Sequence, residues 1–361
     1  MKEIQPLQEF DVIIIGGGIT GSIASILLNN KGYRIGIIEK SSLSDFKPGE
    51  SLDPKCKVFF QNLNIGLTST NTTEYFGYSS LWASKSIDHN DFIFNPYGNG
   101  ISIDRVLFEK SLISQSKLNG ILCYLEVSIN EICFNGEFWN IQINKNEAFQ
   151  KIKAKFLIVA TGRKMPFKFF LSKKTFFDRL ICLSGISSTE IKVGSQNTLY
   201  IESLQEGWYY TNILPGKKRV MSIFTDNDLL IKEHADYYKK QILSTIWYNS
   251  IDSACLNKVE NVFVCDARTS WSNIQSGKGW LLLGDTAYTI DPLSGQGIYK
   301  NLQMIQFCVD NFESFLHCHE EALKDYVSFN KKNFERYWLA RSDAYQMGNR
   351  WHSKFWERRM P

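Results

Sequence analysis

Asp11-Val-Ile-Ile-Ile-Gly16-Gly-Gly18-Ile-Thr20-Gly21, with an acid at Glu39, is the stretch that decides the fold. Asp11 to Ile15 is an unbroken apolar run that stops at glycine, the pattern of a parallel strand buried on both faces. Gly16, Gly18 and Gly21 then form GxGxxG, and the spacing predicts a helix over Ser22 to Asn30. Glycine at these positions permits a tight turn, close approach of backbone N–H groups to a pyrophosphate, and close packing of helix on strand. The helix N-terminus adds partial positive charge that favours phosphate. A second strand, Arg34 to Ile38, ends in Glu39, whose carboxylate can accept both hydroxyls of an adenosine ribose. Strand, glycine turn, helix, strand and acid in this order predict an α/β dinucleotide-binding unit.

The rest of the chain sets the frame for that unit. Its 361 residues can hold one large domain or interleaved domains with a substantial core. The composition, 43% hydrophobic and 22% charged, with a mean hydropathy of -0.22, is that of an ordinary soluble globular chain. Aromatic residues reach 14%, which suits a protein that buries flat rings. A net charge of +4 without a long Lys/Arg run argues against nucleic acid as a partner. The eight cysteines are scattered without a CxxC pair, so reduced thiols in a cytoplasmic protein are expected. His317-Cys318-His319 places adjacent side chains in different directions on a helix, and no metal site is expected. Met1 to Phe10 is too polar for a secretory signal, and no run reaches the length of a membrane span.

A second signature lies far down the chain: Gly279-Trp-Leu-Leu-Leu-Gly284-Asp285-Thr-Ala-Tyr-Thr-Ile-Asp291-Pro292-Leu-Ser294-Gly295-Gln-Gly297. Leu281 to Leu283 is a short strand that Gly284-Asp285 ends, and a helix is expected from about Ile298. Between the two signatures, Leu157-Ile-Val-Ala-Thr161-Gly162 is a hydrophobic strand ending in ATG, and Ile103-Asp-Arg105-Val-Leu-Phe108 opens a helix. Together these resemble the FAD motifs of the flavin monooxygenases related to p-hydroxybenzoate hydroxylase. Lys47-Pro-Gly49-Glu50-Ser51-Leu-Asp-Pro54 resembles the GES motif of flavin-dependent halogenases and their relatives. Ser80-Leu-Trp82-Ala-Ser84, Asp91 to Gly100, and Gly207-Trp208-Tyr-Tyr210-Thr-Asn-Ile-Leu-Pro215-Gly216 resemble a halogenase-like subgroup. That subgroup includes flavoproteins that mature tryptophan-derived quinone cofactors. The tail from Arg336 to Arg359 is similar to theirs as well.

The resemblance implies a two-dinucleotide-domain Rossmann-like fold of the glutathione-reductase type, α/β with an α+β insert. FAD binding falls to residues 1–75, 101–165 and 266–309; residues 76–100 and 166–265 supply a β-sheet substrate domain, and 310–361 a helical C-terminal segment. FAD would be cradled by Gly16, Gly18, Thr20, Gly21, Glu39, Lys40, Gly49, Ser51, Arg105, Thr161, Gly162, Gly284, Asp285, Pro292, Ser294, Gly295 and Gly297. Trp82, Trp208 and Tyr210 would line the substrate, and Glu50 is the one ionisable residue expected near the chemistry. The bland alternatives are that Trp208 to Tyr210 simply pack on two faces of a strand, and that Glu50 caps its own loop.

The implied reaction is a flavin-dependent monooxygenation. Reduced FAD and O2 form a C4a-hydroperoxide that passes its distal oxygen to an electron-rich indole or phenol, free or held on a protein or carrier. No second GxGxxG exists for NAD(P)H, so the reductant binds transiently or a separate reductase supplies electrons. Three departures bear on the alternatives. Trp208 to Pro215 does not satisfy the WxWxIP element of tryptophan halogenases, and Lys85 is not a secure counterpart of their lysine. Gly100-Ile-Ser102-Ile-Asp104-Arg105 lacks a histidine that the subgroup often carries. Halogenation, reduction of an isoprenoid-type alkene, and a non-enzymatic FAD-binding chaperone are the competing readings.

Strands are expected over Thr198 to Ser203, Gly207 to Leu214 and Arg219 to Phe224, roofing the flavin, with a hairpin at Pro215 to Lys218. One helix is expected over Asp228 to Trp247. The aromatic, arginine-rich segment from Asp310 to Arg359 either packs on the FAD domain or docks a partner.

Overall fold

A computed structural model describes residues 7–68, 71–164, 172–188, 197–230, 233–250, 254–348 and 350–360. Its main sheet is built around Gln8–Ile15, which runs parallel to Ala148–Val159 on one side and Ile35–Glu39 on the other. Leu122–Leu125 and Trp280–Leu282 extend the two flanks, also in parallel. Ile13 and Ile14 are fully buried, which is why the run carries no alternation: both faces of the sheet are covered. The helix Ile19–Asn30 returns across the sheet, and the helices Arg105–Leu118 and Gly297–Asp310 pack against it. The hairpin Ser128–Phe134 and Trp139–Lys145 continues antiparallel from Ala148–Val159.

The second layer is a seven-stranded sheet in the order Val259–Asp266, Leu180–Ser187, Lys218–Asp226, Gly207–Leu214, Leu199–Leu204, Gly77–Leu81, Asp88–Asp91. Its three central expected strands appear within two residues of their expected ends. Every residue of Gly207–Leu214 is buried, because both faces of that strand are covered. A small sheet of Ser51–Leu52, Gly100–Ile103 and Thr72–Tyr75 joins the two layers.

The expected helix over Asp228 to Trp247 is not one helix. It forms as His234–Leu243, and a separate short helix starts at Ile246. The cause is Glu202, whose carboxylate accepts the backbone N–H groups of Ile246 and Trp247 at 3.0 and 3.3 Å and so caps a new N-terminus.

The tail is used internally. After the long helix Glu320–Met347, Phe355 and Trp356 are fully buried on the seven-stranded sheet. Trp356 Nε1 donates to Leu204 O at 2.8 Å, and Arg358 and Arg359 pair with Asp226 at 2.8 and 2.6 Å. Of the two readings of this segment, packing accounts for its aromatic residues and these two arginines. Among the described residues no helix is long and apolar enough to cross a membrane.

Candidate active site

Gly16 and Gly21 are glycines for steric reasons. A Cβ at Gly16, where φ is +108°, would meet Ala160 O at 2.3 Å, and one at Gly21 would meet Gly16 O at 1.9 Å. The first contact also shows how the ATG stretch closes on the glycine turn, since Thr161 Cα lies 3.2 Å from the same point. Gly18 differs. The nearest atom to its would-be Cβ is Glu109 Oε1 at 3.8 Å, so this glycine faces open space. Gly18 precedes the helix Ile19–Asn30 with no side chain capping it, leaving first-turn N–H groups for a ligand. Glu39 Oε2 accepts from Gly17 N at 2.8 Å, and Oε1 from Ser41 N and Oγ at 2.8 and 2.7 Å. Lys40 is exposed beside it.

The second signature meets the first at one contact. Gly284, with φ of +68°, sits so close to Thr20 that a Cβ would lie 2.9 Å from its Cγ2. Asp285 Oδ1 accepts from Lys300 Nζ at 2.8 Å, and Lys300 also donates to Tyr288 O at 2.6 Å. Lys174 Nζ donates to the backbone oxygens of Arg163 and Asp285, each at 2.9 Å. Burial opposes ionisation of Asp285, but Lys300, Arg163 and Lys174 outweigh it and hold the carboxyl down to about 2. Burial pulls the Lys174 amine down to about 8 against the attraction of Asp285. This cationic cluster was not foreseen. The only signal for Lys300 is a lysine on the inward face of an apolar helix.

Arg105 begins its helix as expected, behind an N-cap in which Asp104 Oδ1 accepts from Leu107 N. Its Nη1 donates to Pro48 O and Gly49 O, each at 3.1 Å, and its Nη2 pairs with Glu109 Oε1 at 2.6 Å. Lys47 closes the group from the other side, 2.6 Å from Glu109 Oε2. Burial disfavours the Glu109 anion, yet Arg105 and Lys47 leave its threshold below the ordinary value. Arg105 Nε is buried without a partner, an open donor in the cradle. Arg105 therefore sets the Pro48–Ser51 loop in place.

Glu50 is 5% exposed. Its own carboxylate accepts from Gly49 N at 2.7 Å. Burial raises its threshold, opposed by backbone N–H groups, Tyr210 and Arg105. The Tyr210 hydroxyl, also buried, lies near Glu50 and Ser51 without completing a hydrogen bond. Cys182 and Cys265 stand opposite each other on neighbouring strands, and burial pushes both thiols up, away from nucleophilic use.

Trp208 and Trp82 are placed differently from Tyr210. Trp208 is stacked on Phe224 at 3.7 Å, and its Nε1 donates to Tyr345 OH at 3.1 Å. Trp82 donates to Ala344 O at 2.6 Å and packs edge-on against Trp208, Tyr345 and Trp356. Both indoles thus hold the C-terminal helix on the sheet, and Tyr210 is the one of the three that stands beside Glu50. Asp291 Oδ1 caps the turn Pro292–Ser294 through Leu293 N at 2.9 Å, and Gly295 at φ of +63° leads to Gly297, where the next helix begins.

The open Gly18 edge, the uncapped helix start, the free Arg105 Nε and the carboxylates of Glu39 and Asp285 form a donor and acceptor set that fits a flavin dinucleotide. Residues 11–156 match the family model for tryptophan halogenase. LodB of Marinomonas mediterranea, described provisionally as an FAD-dependent oxidoreductase, is 22% identical over 98% of this chain and 97% of its own length. The myxobacterial chondrochloren halogenase CndH superposes with a TM-score of 0.86 at 17% identity, over 98% of this chain and 86% of that one. The peptidyl tryptophan dihydroxylase QhpG, essential for tryptophylquinone cofactor biogenesis, gives 0.80 at 19% identity over 97% and 78%. At these identities the superpositions establish the shared fold.

Proposed function

We propose that this chain, a tryptophan-halogenase-like flavoprotein, is an FAD-dependent monooxygenase that oxygenates an electron-rich aromatic ring, an indole or phenol free or carried on a polypeptide. FAD, when bound, supplies the activation of O2. The residues described above do the rest. Gly16, Gly18, Gly21 and Glu39 would hold the adenosine and pyrophosphate half, Arg105 and Asp285 the middle, and the Pro292–Gly295 turn the ring system. The start of the helix at Gly297 would favour negative charge on a reduced ring bound there.

The observation that carries this reading is the placement of Glu50 and Tyr210. A buried carboxyl whose threshold burial raises, next to a buried phenol, is a group placed to handle a proton in a site shielded from water. Oxygen transfer to a ring carbon is completed by loss of that carbon's proton, which the Glu50 carboxylate would accept. The test is Glu50→Gln and Tyr210→Phe. Both should keep FAD while oxygenated product falls by roughly a hundredfold, the lower range of general acid–base contributions. Unchanged product yield from both would remove the proposal's support.

Halogenation is the second reading, favoured by the family match over residues 11–156. Against it, Lys85 is exposed in the turn after Gly77–Leu81, and Glu50 and Tyr210 occupy the buried ground. An amine that retains a reactive halogen species has to sit inside the cleft.

A further inference from the structure

Residues Asp88–Asp91 form the outermost strand of the seven-stranded sheet, and all four are exposed. The strand is held inward by its pairing with Gly77–Leu81 in the register Tyr78↔Asn90 and Ser79↔His89. Two side-chain bonds, His89 Nδ1 with Ser79 Oγ at 2.8 Å and Asn90 Nδ2 to Tyr78 OH at 2.6 Å, fix that hairpin. Among the described residues nothing pairs with its outer edge. The chain then turns through Phe92–Phe94. Phe92 anchors the turn against Tyr75 and Tyr78, with ring centroids 5.8 and 6.2 Å apart. Ile93 and Phe94 are left 80% and 92% exposed. A rigid turn that presents two large apolar side chains to water is not explained by packing.

This surface leads to the active site. Tyr75, on which Phe92 rests, donates its hydroxyl to Leu52 O at 2.9 Å, next to Glu50 and Ser51. Beyond Phe94, Lys55 lies 5.9 Å from the Tyr97 ring and 5.6 Å from the Tyr299 ring, at the start of the helix that follows the Asp291–Pro292 turn.

We infer that this edge docks an extended, basic segment of the polypeptide that carries the aromatic substrate, adding it as a strand to Asp88–Asp91 with apolar side chains over Ile93 and Phe94. An open strand edge supplies main-chain hydrogen bonds, and alternate side chains supply selectivity. Charge selects the occupant. Asp88 and Asp91 at the two ends of the strand call for lysine or arginine opposite them, although the chain as a whole carries +4. In a second copy of this chain the two acids would find no lysine or arginine, because they lie on opposite faces of the strand and antiparallel self-pairing about a two-fold axis sets Asp88 against Asn90 or Asp91 against His89. The same charges turn away nucleic acid. The inference rests on the oxygenation reading only in taking the delivered ring to be part of a polypeptide.

The test uses the full chain loaded with FAD and a fluorescein-labelled short peptide in which two lysines stand three residues apart, one for each face of the strand, with valines between them and one tryptophan beyond. A matched peptide carries glutamate for lysine. Fluorescence anisotropy should show the lysine peptide bound at least roughly tenfold more tightly than the glutamate peptide, a difference of about 1.4 kcal/mol. The double variant Asp88→Lys/Asp91→Lys should invert that preference, and Phe94→Ser should weaken the lysine peptide by roughly tenfold without changing flavin content. Equal binding of both peptides, or a preference that survives charge reversal, overturns the inference. So does a concentration-dependent dimer of the wild type that Phe94→Ser abolishes, since the occupant would then be a second copy. Peptide binding needs no oxygen chemistry, so a chain that docks the lysine peptide but oxygenates nothing refutes the proposed function and leaves the dock standing.

Discussion

Tyr345 OH donates to Asp291 Oδ2 at 2.8 Å, so the C-terminal helix holds the carboxylate that caps the Pro292–Ser294 turn. Arg341 completes the arrangement, with Nε 3.3 Å from Asp291 and Nη2 3.4 Å from Asp178. Tyr337 OH in turn accepts the N–H of Asp291 at 2.7 Å. A helix from the end of the chain thus sets the Pro292–Ser294 turn.

Removing members of this group should cost stability in a defined order. Tyr345→Phe deletes the hydrogen bond to the Asp291 carboxylate and the one that Tyr345 accepts from Trp208 Nε1, and should destabilise by about 2–3 kcal/mol. Arg341→Met strands two buried carboxylates, Asp178 and Asp291, and should cost about 3–5 kcal/mol. Urea unfolding of the FAD-free proteins measures both, and a smaller loss for Arg341→Met than for Tyr345→Phe would contradict the assignment.

Gly18→Ala and Gly21→Ala separate cofactor binding from folding. The alanine methyl at position 21 would lie 1.9 Å from Gly16 O, so that protein should fail to accumulate in folded form. At position 18 nothing stands closer than 3.8 Å, so the variant should fold with an unchanged melting temperature. It should nevertheless lose flavin, because the methyl occupies the approach of the pyrophosphate. Absorbance of the retained flavin and thermal unfolding give the two readings. Full flavin retention in Gly18→Ala would place the phosphates elsewhere.

Asp285 sets a pH dependence of known sign. Its folded threshold, about 2, lies below the ordinary 3.8 because Lys300, Arg163 and Lys174 overcome burial. The stabilisation is therefore present above the ordinary value and is lost as pH falls through the folded one. Lys300→Met removes the partner at 2.8 Å and should move acid unfolding to higher pH. An unchanged acid midpoint would show that the pair contributes nothing.

Glu50 has the opposite sign. Burial raises its threshold above 4.5, so between the ordinary and the folded value the native state holds the extra proton. Stability then falls as pH rises through that window, and the cost is fully present above it. Glu50→Gln should be at least as stable as wild type at neutral pH, with the difference vanishing in acid. A large loss of stability at neutral pH would make Glu50 a structural cap.

Much of the cofactor half was legible because its signals are local. The spacing of Gly16, Gly18 and Gly21, the acid at Glu39 and the Gly284-Asp285 step are each read within a few residues, and the strands and helices around them formed close to the expected bounds. What escaped depends on residues far apart in the chain. Lys300 with Asp285, Tyr345 with Asp291, and Trp82 against Trp356 meet only in three dimensions. The break at Thr245 was hidden for the same reason, since Glu202 lies over forty residues upstream. Glu109 was within reach, one helical turn after Arg105 on the same face.

The most direct measurement is the mass of the product formed in a single turnover by FAD-loaded protein, reduced without oxygen and then mixed with isotopically heavy O2, bromide and a tryptophan-containing peptide. The account predicts a product that carries heavy oxygen on the ring and is indifferent to bromide. A brominated ring, or a product formed equally well without O2, would contradict it.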